Sequence, residues 1–360
     1  MSGLRRRAAL PIACGIAALA LIACGDDGSR EPAPSGSARA FRMGFSSLPR
    51  ELNAESYAAS LAFAQVHGDI VLIERGVPWQ DFLPGANISD DVSETTASER
   101  DAIDDAALFF AIDPTDGATG RDRLGALPVS LAGKRFDDGD VRAAFVSYAE
   151  YVAINYKPAY MALGVEMNLY YEKNKEDFQN FRSLYAQAYA AVKKQSPSTQ
   201  VTVTFQYEDL QGLLPREDTH FASWELVRAF DPDIDFIGIS TYPSFAFDTP
   251  AAIPPNYYTQ LRAFTEKPIA IAEMGYASQS GPGGSNGGTE EGQQAYLARI
   301  LLEAAAVPMP FIVWFAIWDP TYARDTAFAP FQHIGLWRDD DTAKPAWQPW
   351  EEAARRPYVP

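Results

Sequence analysis

From Phe41 onward the chain repeats one pattern eight times: a short apolar run, then a stretch of helical periodicity. The runs are 41–46 (FRMGFS), 69–74 (DIVLIE), 106–112 (AALFFAI), 160–166 (YMALGVE), 201–206 (VTVTFQ), 235–240 (DFIGIS), 268–273 (PIAIAE) and 311–318 (FIVWFAIW). The clearest helical stretch is Asp177 to Gln195, where Phe178, Phe181, Leu184, Tyr185, Ala188 and Val192 share one face and which stops before Pro197. Another begins after Thr289, an N-cap residue followed by Glu290 and Glu291 in the first turn. Strands that alternate with helices pair in parallel, because a parallel connection needs a long crossover. Eight such units predict an α/β fold, a (β/α)8 TIM barrel forming a single domain over 41–360. A doubly wound open sheet is the alternative, but no Gly-rich phosphate turn follows the first strand.

Charge narrows what such a domain can bind. Lys and Arg number 30 against 47 Asp and Glu, a formal net charge of −17. A surface this acidic repels phosphate backbones, so no nucleic acid partner is expected. Three histidines (His67, His220, His333) and two cysteines leave no N/S ligand set, so no zinc or other N/S-ligated metal site is predicted. A disulfide framework and a thiol nucleophile go with them. The chain is expected to act as a monomer.

The first residues read as an address. Arg5, Arg6 and Arg7 precede the apolar run Ala8 to Ala23, which is too short and Ala-rich to span a membrane but suits a signal peptide. The run ends Leu21-Ile22-Ala23-Cys24, which resembles the lipobox of bacterial lipoproteins. That resemblance implies removal of residues 1–23 and lipidation of Cys24, an anchor of several acyl chains. Residues 24–40 then form a Pro/Gly/Ser-rich tether. The protein is expected to be exported and held at the bacterial envelope, with Gly25 after the cysteine favouring an outer membrane.

In a barrel, chemistry gathers where strands end. Strand four ends in Glu166 and strand seven in Glu273, on opposite sides of an eight-strand ring. Strict alternation would leave Ala270 and Ala272 facing the outer helices if Glu273 faces the mouth. Strand three ends Ile112-Asp113-Pro114.

Two glutamates so placed resemble clan A glycoside hydrolases, in which the first is acid/base and the second nucleophile. Three segments are most similar to family 53, the endo-β-1,4-galactanases: Ile239-Ser240-Thr241-Tyr242-Pro243-Ser244-Phe245, Ala272-Glu273-Met274-Gly275-Tyr276 and Trp318-Asp319-Pro320. Gly335-Leu336-Trp337 and Lys344-Pro345-Ala346-Trp347 extend the likeness to roughly 41–355. Where clan members usually carry Asn before the acid/base this chain has Val165, and the nearest Asn is Asn168. The resemblance implies a retaining hydrolase of β-linked polysaccharide or oligosaccharide, galactan first, with Glu166 as acid/base, Glu273 as nucleophile and no cofactor. Its carboxyls would stand about 5–5.5 Å apart.

Tyr242, at the end of strand six, is placed to donate its hydroxyl to the nucleophile. Trp318, on the face of Trp314 and nearer the strand end, suits a sugar-stacking floor. Trp79, Phe82, Tyr170, Tyr171 and Tyr276 occupy loops that can line further subsites, or simply pack. The Gly-rich stretch 275–292 lacks the Lys of a phosphate loop and reads as a rim over the cleft. The runs Asp90-Asp91 and Asp339-Asp340-Asp341 read as solvated surface without EF-hand spacing. The alternative from another class is a surface glycan-binding protein that kept the barrel without turnover.

Overall fold

A computed structural model describes residues 38–214, 220–280 and 287–360. The leader, Cys24 and the tether up to residue 37 lie outside the described residues, as does part of the Gly-rich stretch. Among the described residues nine parallel strand segments form one sheet: β1 (Arg42–Ser46), β2 (Ile70–Gly76), β3 (Ala107–Asp113), β4 (Tyr160–Ala162), β5 (Gln200–Thr202), β6 (Thr204–Gln206), β7 (Ile237–Thr241), β8 (Ile269–Met274) and β9 (Phe311–Trp314). Their order is β5-β4-β3-β2-β1-β9-β8-β7-β6. The two ends of that series, β5 and β6, are one strand broken at Val203. The sheet therefore closes on itself, and nine segments fill the eight positions of a (β/α)8 barrel.

Which side of each strand faces the axis follows from packing. Ile70, Leu72, Phe109, Ala111, Ala162, Phe236, Ala270, Ala272, Phe311 and Val313 form one buried cluster. Phe109 on β3 and Phe311 on β9 meet at 5.1 Å between ring centroids although their strands are far apart round the ring. That contact is possible only across the interior. Tyr160 and Phe236 join the same stack at 4.6 and 5.7 Å from Phe311. These rings stand at the starts of their strands, so they plug the N-terminal end and leave the mouth at the other. Gly44 is needed where β1 meets β2, since a Cβ there would lie 1.7 Å from the Ile70 carbonyl oxygen.

The helices wrap this ring: α1 (Ala54–His67), α2 (Trp79–Phe82), α3 (Asp90–Ala102), α4 (Gly139–Asn155), α5 (Met167–Lys173), α6 (Lys175–Gln195), α7 (Tyr207–Leu210), α8 (Glu290–Ala306) and α9 (Trp347–Ala354). The six apolar residues predicted on one face of α6 are all buried. Thr289 caps α8, its side chain accepting from the Gly292 amide at 3.0 Å. Asp90 and Asp91 lie in the first turn of α3, beside the positive end of its dipole. After β7 the connection holds only short 3₁₀ turns, at Pro243–Phe245, Pro250–Ala252 and Thr259–Ala263.

Three boundaries differ from the sequence reading. Strand four ends at Ala162 and strand eight at Trp314, four residues earlier than their apolar runs. In both, hydrophobic residues continue past the last ladder bond because the chain bends into buried loops. The tether also ends sooner than residue 40: Arg39 is 4% exposed and its guanidinium bonds Asp69 and the carbonyls of Phe41, Ala354 and Arg356. Arg39 also pairs with Tyr358, which ties the start of the barrel to its C-terminal tail.

Candidate active site

The mouth holds a cavity of about 350 Å³ lined by Glu74, Asp113, Arg121, Glu166, Tyr242 and Glu273, with Leu169, Phe315, Phe328 and Phe331 among its apolar walls. Simple alternation delivers two of the carboxyls. On β2, Ile70 and Leu72 face inward, so Glu74 follows them at the strand end. Its neighbour Arg75 turns outward to Glu99 of α3. On β3, Phe109 and Ala111 bring Asp113 to the mouth in the same way.

Glu273 arrives by breaking that rule. Ala270 and Ala272 face the barrel interior, not the outer helices, so alternation would turn Glu273 outward with Ile269 and Ile271. The pairing of β7 with β8 steps from Ile239↔Ile271 to Ser240↔Glu273, leaving Ala272 as one extra residue. The register with β9 shifts over the same residues. This bulge swings Glu273 back towards the axis, which is a common way to re-aim a side chain at a site.

Glu166 also depends on special backbone. It lies four residues beyond β4, at the start of α5, with φ 49° and ψ 46°. That left-handed conformation costs about 1 kcal/mol for a residue with a Cβ. Its amide donates to Thr204 Oγ1 at 2.9 Å, which helps hold the turn. Arg121, in the loop after β3, is likewise left-handed (φ 62°). Its Nε donates to Glu166 Oε2 at 3.0 Å, and its Nη1 donates to Asp113 Oδ2 at 2.5 Å and to Thr115 Oγ1 at 3.0 Å.

Burial pushes the Glu166 carboxyl up, Arg121 pulls it back, and the charge of Glu273 raises it again; the balance lies at about 7. The protein packed around the cavity raises Glu74 well above the carboxylate range, helped by Glu273 beside it and by Asp113. The Glu74 side chain is exposed to the open cavity at the mouth of the barrel. Tyr242 is buried, and its hydroxyl donates to Glu273 Oε2 at 2.8 Å. Burial and the adjacent carboxylates raise the phenol well above 10, so it stays a neutral donor. Its backbone is set by Glu208, whose Oε2 accepts from the Tyr242 amide at 3.0 Å. Glu208 in turn takes bonds from Gln206, Thr241 and Tyr257, four donors in place of a cation.

The structure thus brings Glu166, Glu273 and Tyr242 together and sends the other sequence candidates elsewhere. Trp318 lies outside the cavity, edge-on to Phe63 at 5.0 Å with Arg50 over its ring at 5.9 Å. Because the strand ends at Trp314, the inward face assumed for Trp318 does not exist; Phe315 lines the cavity instead. Asn168 is buried, donating to the Gln206 carbonyl and to Asp209 while its oxygen accepts from the Gln206 amide. Tyr276 is buried against Tyr296, and Trp79 is buried with its indole N–H on the Gly125 carbonyl. Phe82 packs on Tyr148, Tyr170 bonds Asp177 and Tyr171 packs on Phe178.

Seven of the lining residues named above, Glu74, Asp113, Arg121, Leu169, Phe315, Phe328 and Phe331, are not singled out by the sequence. Glu74 ends the second apolar run by the same rule that selected Glu166, so its signal was present. Arg121, Phe328 and Phe331 come from loops, where no period points inward. Among the described residues, no group of three or more His, Cys, Asp or Glu side chains is arranged to hold a metal.

Glycosyl hydrolase family 53 matches residues 156–308, a span containing Glu166, Tyr242 and Glu273. Among solved structures the chain is similar to an exo-β-1,4-mannosidase from Opitutaceae bacterium strain TAV5, at TM-score 0.67 and 16% identity over 88% of this chain and 60% of that one. It is also similar to a family 39 glycoside hydrolase from Bacteroides cellulosilyticus WH2, at TM-score 0.58 and 17% identity over 87% and 63% of the two chains. A GH5_18 variant from Streptomyces cattleya, solved in complex with Manβ1-4GlcNAc, aligns at TM-score 0.64 and 16% identity over 88% and 80%. The chain therefore spans less than two thirds of the length of the first two. No curated protein sequence matches it. The solved structures share the barrel fold with this chain, and the family model likens its central part to glycosyl hydrolase family 53.

Proposed function

We propose that the chain hydrolyses β-linked polysaccharide or oligosaccharide with retention of configuration, Glu273 acting as nucleophile and Glu166 as acid/base. The observation that carries this reading is the contrast between two carboxyls lining one cavity. Glu166 is held near 7 and so keeps a proton available, while Glu273 accepts a hydrogen bond from a neutral phenol. In the first step a Glu273 oxygen forms a bond to the anomeric carbon as the glycosidic C–O bond breaks, and the Glu166 proton passes to the leaving oxygen. Esterification removes the charge on Glu273 that raises Glu166, so Glu166 becomes a better base for the incoming water. Water then displaces Glu273, and the proton returns to Glu166. Phe315, Phe328 and Phe331 offer the apolar wall on which a pyranose face can rest.

Galactan is the first candidate, from the family 53 likeness. β-Mannan is the second reading, favoured by similarity to a β-1,4-mannosidase and to a protein holding Manβ1-4GlcNAc. Cys24 would hold the enzyme at the cell envelope. The test is reducing-end release from galactan, mannan, xylan and β-glucan by wild type and Glu273→Gln. Hydrolysis that the variant loses supports the enzyme, and binding without hydrolysis by both would mean a glycan-binding protein. NMR of the first-formed anomer tests retention.

A further inference from the structure

The double displacement uses two carboxyls, yet Glu74 and Asp113 reach the same cavity, and of these Asp113 is held by Arg121 and Thr115. Glu74 is the last inward side chain of β2, exposed to the cavity it shares with Glu273 and with its carboxyl within hydrogen-bonding reach of that group. The charged groups that face it are Glu273, Asp113 and Arg121. Its own strand supplies no cation, because Arg75 points outward to Glu99. Arg121 spends its direct bonds on Asp113, Thr115 and Glu166. Two carboxyls in hydrogen-bond contact cannot both be ionised, so one proton lies between Glu74 and Glu273. Tyr242 already donates to Glu273 Oε2, so Glu273 is the acceptor of the cluster and Glu74 the donor.

Building on the glycosidase reading, we propose that Glu74 is a positioning residue that works as the neutral acid, donating to Glu273 as a second donor beside Tyr242 and fixing the nucleophilic carboxylate. The proton stays on Glu74 through both steps of the reaction. Its donation would also hold the carbonyl oxygen of the glycosyl ester while water attacks.

The test compares Glu74→Gln, which keeps a donor that cannot ionise, with Glu74→Leu, which has none. Both are measured in the full chain against an aryl β-glycoside that wild type hydrolyses, with kcat and KM followed across pH. Glu74→Gln should keep kcat within about threefold of wild type and hold it to higher pH, whereas Glu74→Leu should lose about 100-fold in kcat with KM little changed. Equal losses in the two variants, or a Glu74→Leu enzyme as active as wild type, would overturn the proposal. An infrared measurement is independent of turnover. At pH 8, where Glu166 is largely ionised, wild type should show a protonated-carboxyl carbonyl band that Glu74→Gln lacks. No such band refutes the neutral acid even if hydrolysis is observed. A band present in a protein that cleaves no glycoside leaves the proton in place and sinks the glycosidase reading instead.

Discussion

Replacing Arg121 with Met tests the electrostatics of the site directly. At its 3.0 Å contact with Glu166, a unit charge pair at an effective dielectric of about 20 is worth at most ~5 kcal/mol. The guanidinium charge is spread over three nitrogens and shared with Asp113, so roughly 1.5–3 kcal/mol of it acts on Glu166. At 1.36 kcal/mol per unit, its removal should raise the carboxyl by about 1–2 units. The free-enzyme acid governs the alkaline limb of kcat/KM. That limb should therefore move from near 7 to about 8–9. An aryl glycoside with a poor leaving group is the right substrate, since only then does proton donation limit the rate. Arg121→Lys, which returns a charge without the planar fork, should bring the limb part of the way back. Asp113 would keep Thr115 as its donor, so the Met variant should still fold, at a cost of about 2–4 kcal/mol for the uncompensated charge. An alkaline limb that stays put or moves to lower pH would refute the assignment of Glu166 as the acid controlled by Arg121.

Three further outcomes follow from particular contacts. Tyr242→Phe removes a 2.8 Å hydrogen bond to a charged acceptor and should lower kcat about 10–100-fold with little change in stability; an undiminished kcat would mean Glu273 does not depend on that donor. Glu166 sits at about 7 when folded and near 4.5 when unfolded, so its contribution to stability is complete below about 4.5 and is lost as pH rises towards 7. Denaturant unfolding of wild type should accordingly lose about 3 kcal/mol over that window relative to Glu166→Gln, and a pH-independent difference would contradict it. Lys344 is buried, with its Nζ on Asp319 at 2.7 Å and Ser278 at 2.8 Å; Lys344→Met should destabilise the barrel by about 3–5 kcal/mol, and a loss under about 1 kcal/mol would show that Asp319 finds another partner.

The Asp319–Lys344 pair also shows how far a resemblance in sequence can be read. Trp318-Asp319-Pro320 and Lys344-Pro345-Ala346-Trp347 were both family-like segments, and the fold joins them through a buried ion pair, not through substrate. Trp318 makes a sugar floor only if the last strand runs as far as its own position. The strand stops at Trp314, and the indole ends on the outer side against Phe63. Asn168, Tyr276 and Trp79 had the right chemistry for subsites, but their polar groups or rings are committed to neighbouring backbone and aromatic side chains.

What the amino-acid order by itself determined is the barrel and the strand ends that carry acid. Both are consequences of local periods: two residues per turn of side chain in a strand, about 3.6 in a helix, and a ring whose open face lies where the strands finish. Only the tertiary structure decided which way those acids point and what surrounds them. Glu273 turns inward because β8 holds one residue more than its neighbour, and Glu166 because its backbone is left-handed. Arg121 reaches both Asp113 and Glu166 from a loop with no periodicity to announce it. Those are contacts between segments tens of residues apart, and their strength comes from burial, which exists only once the chain has closed on itself.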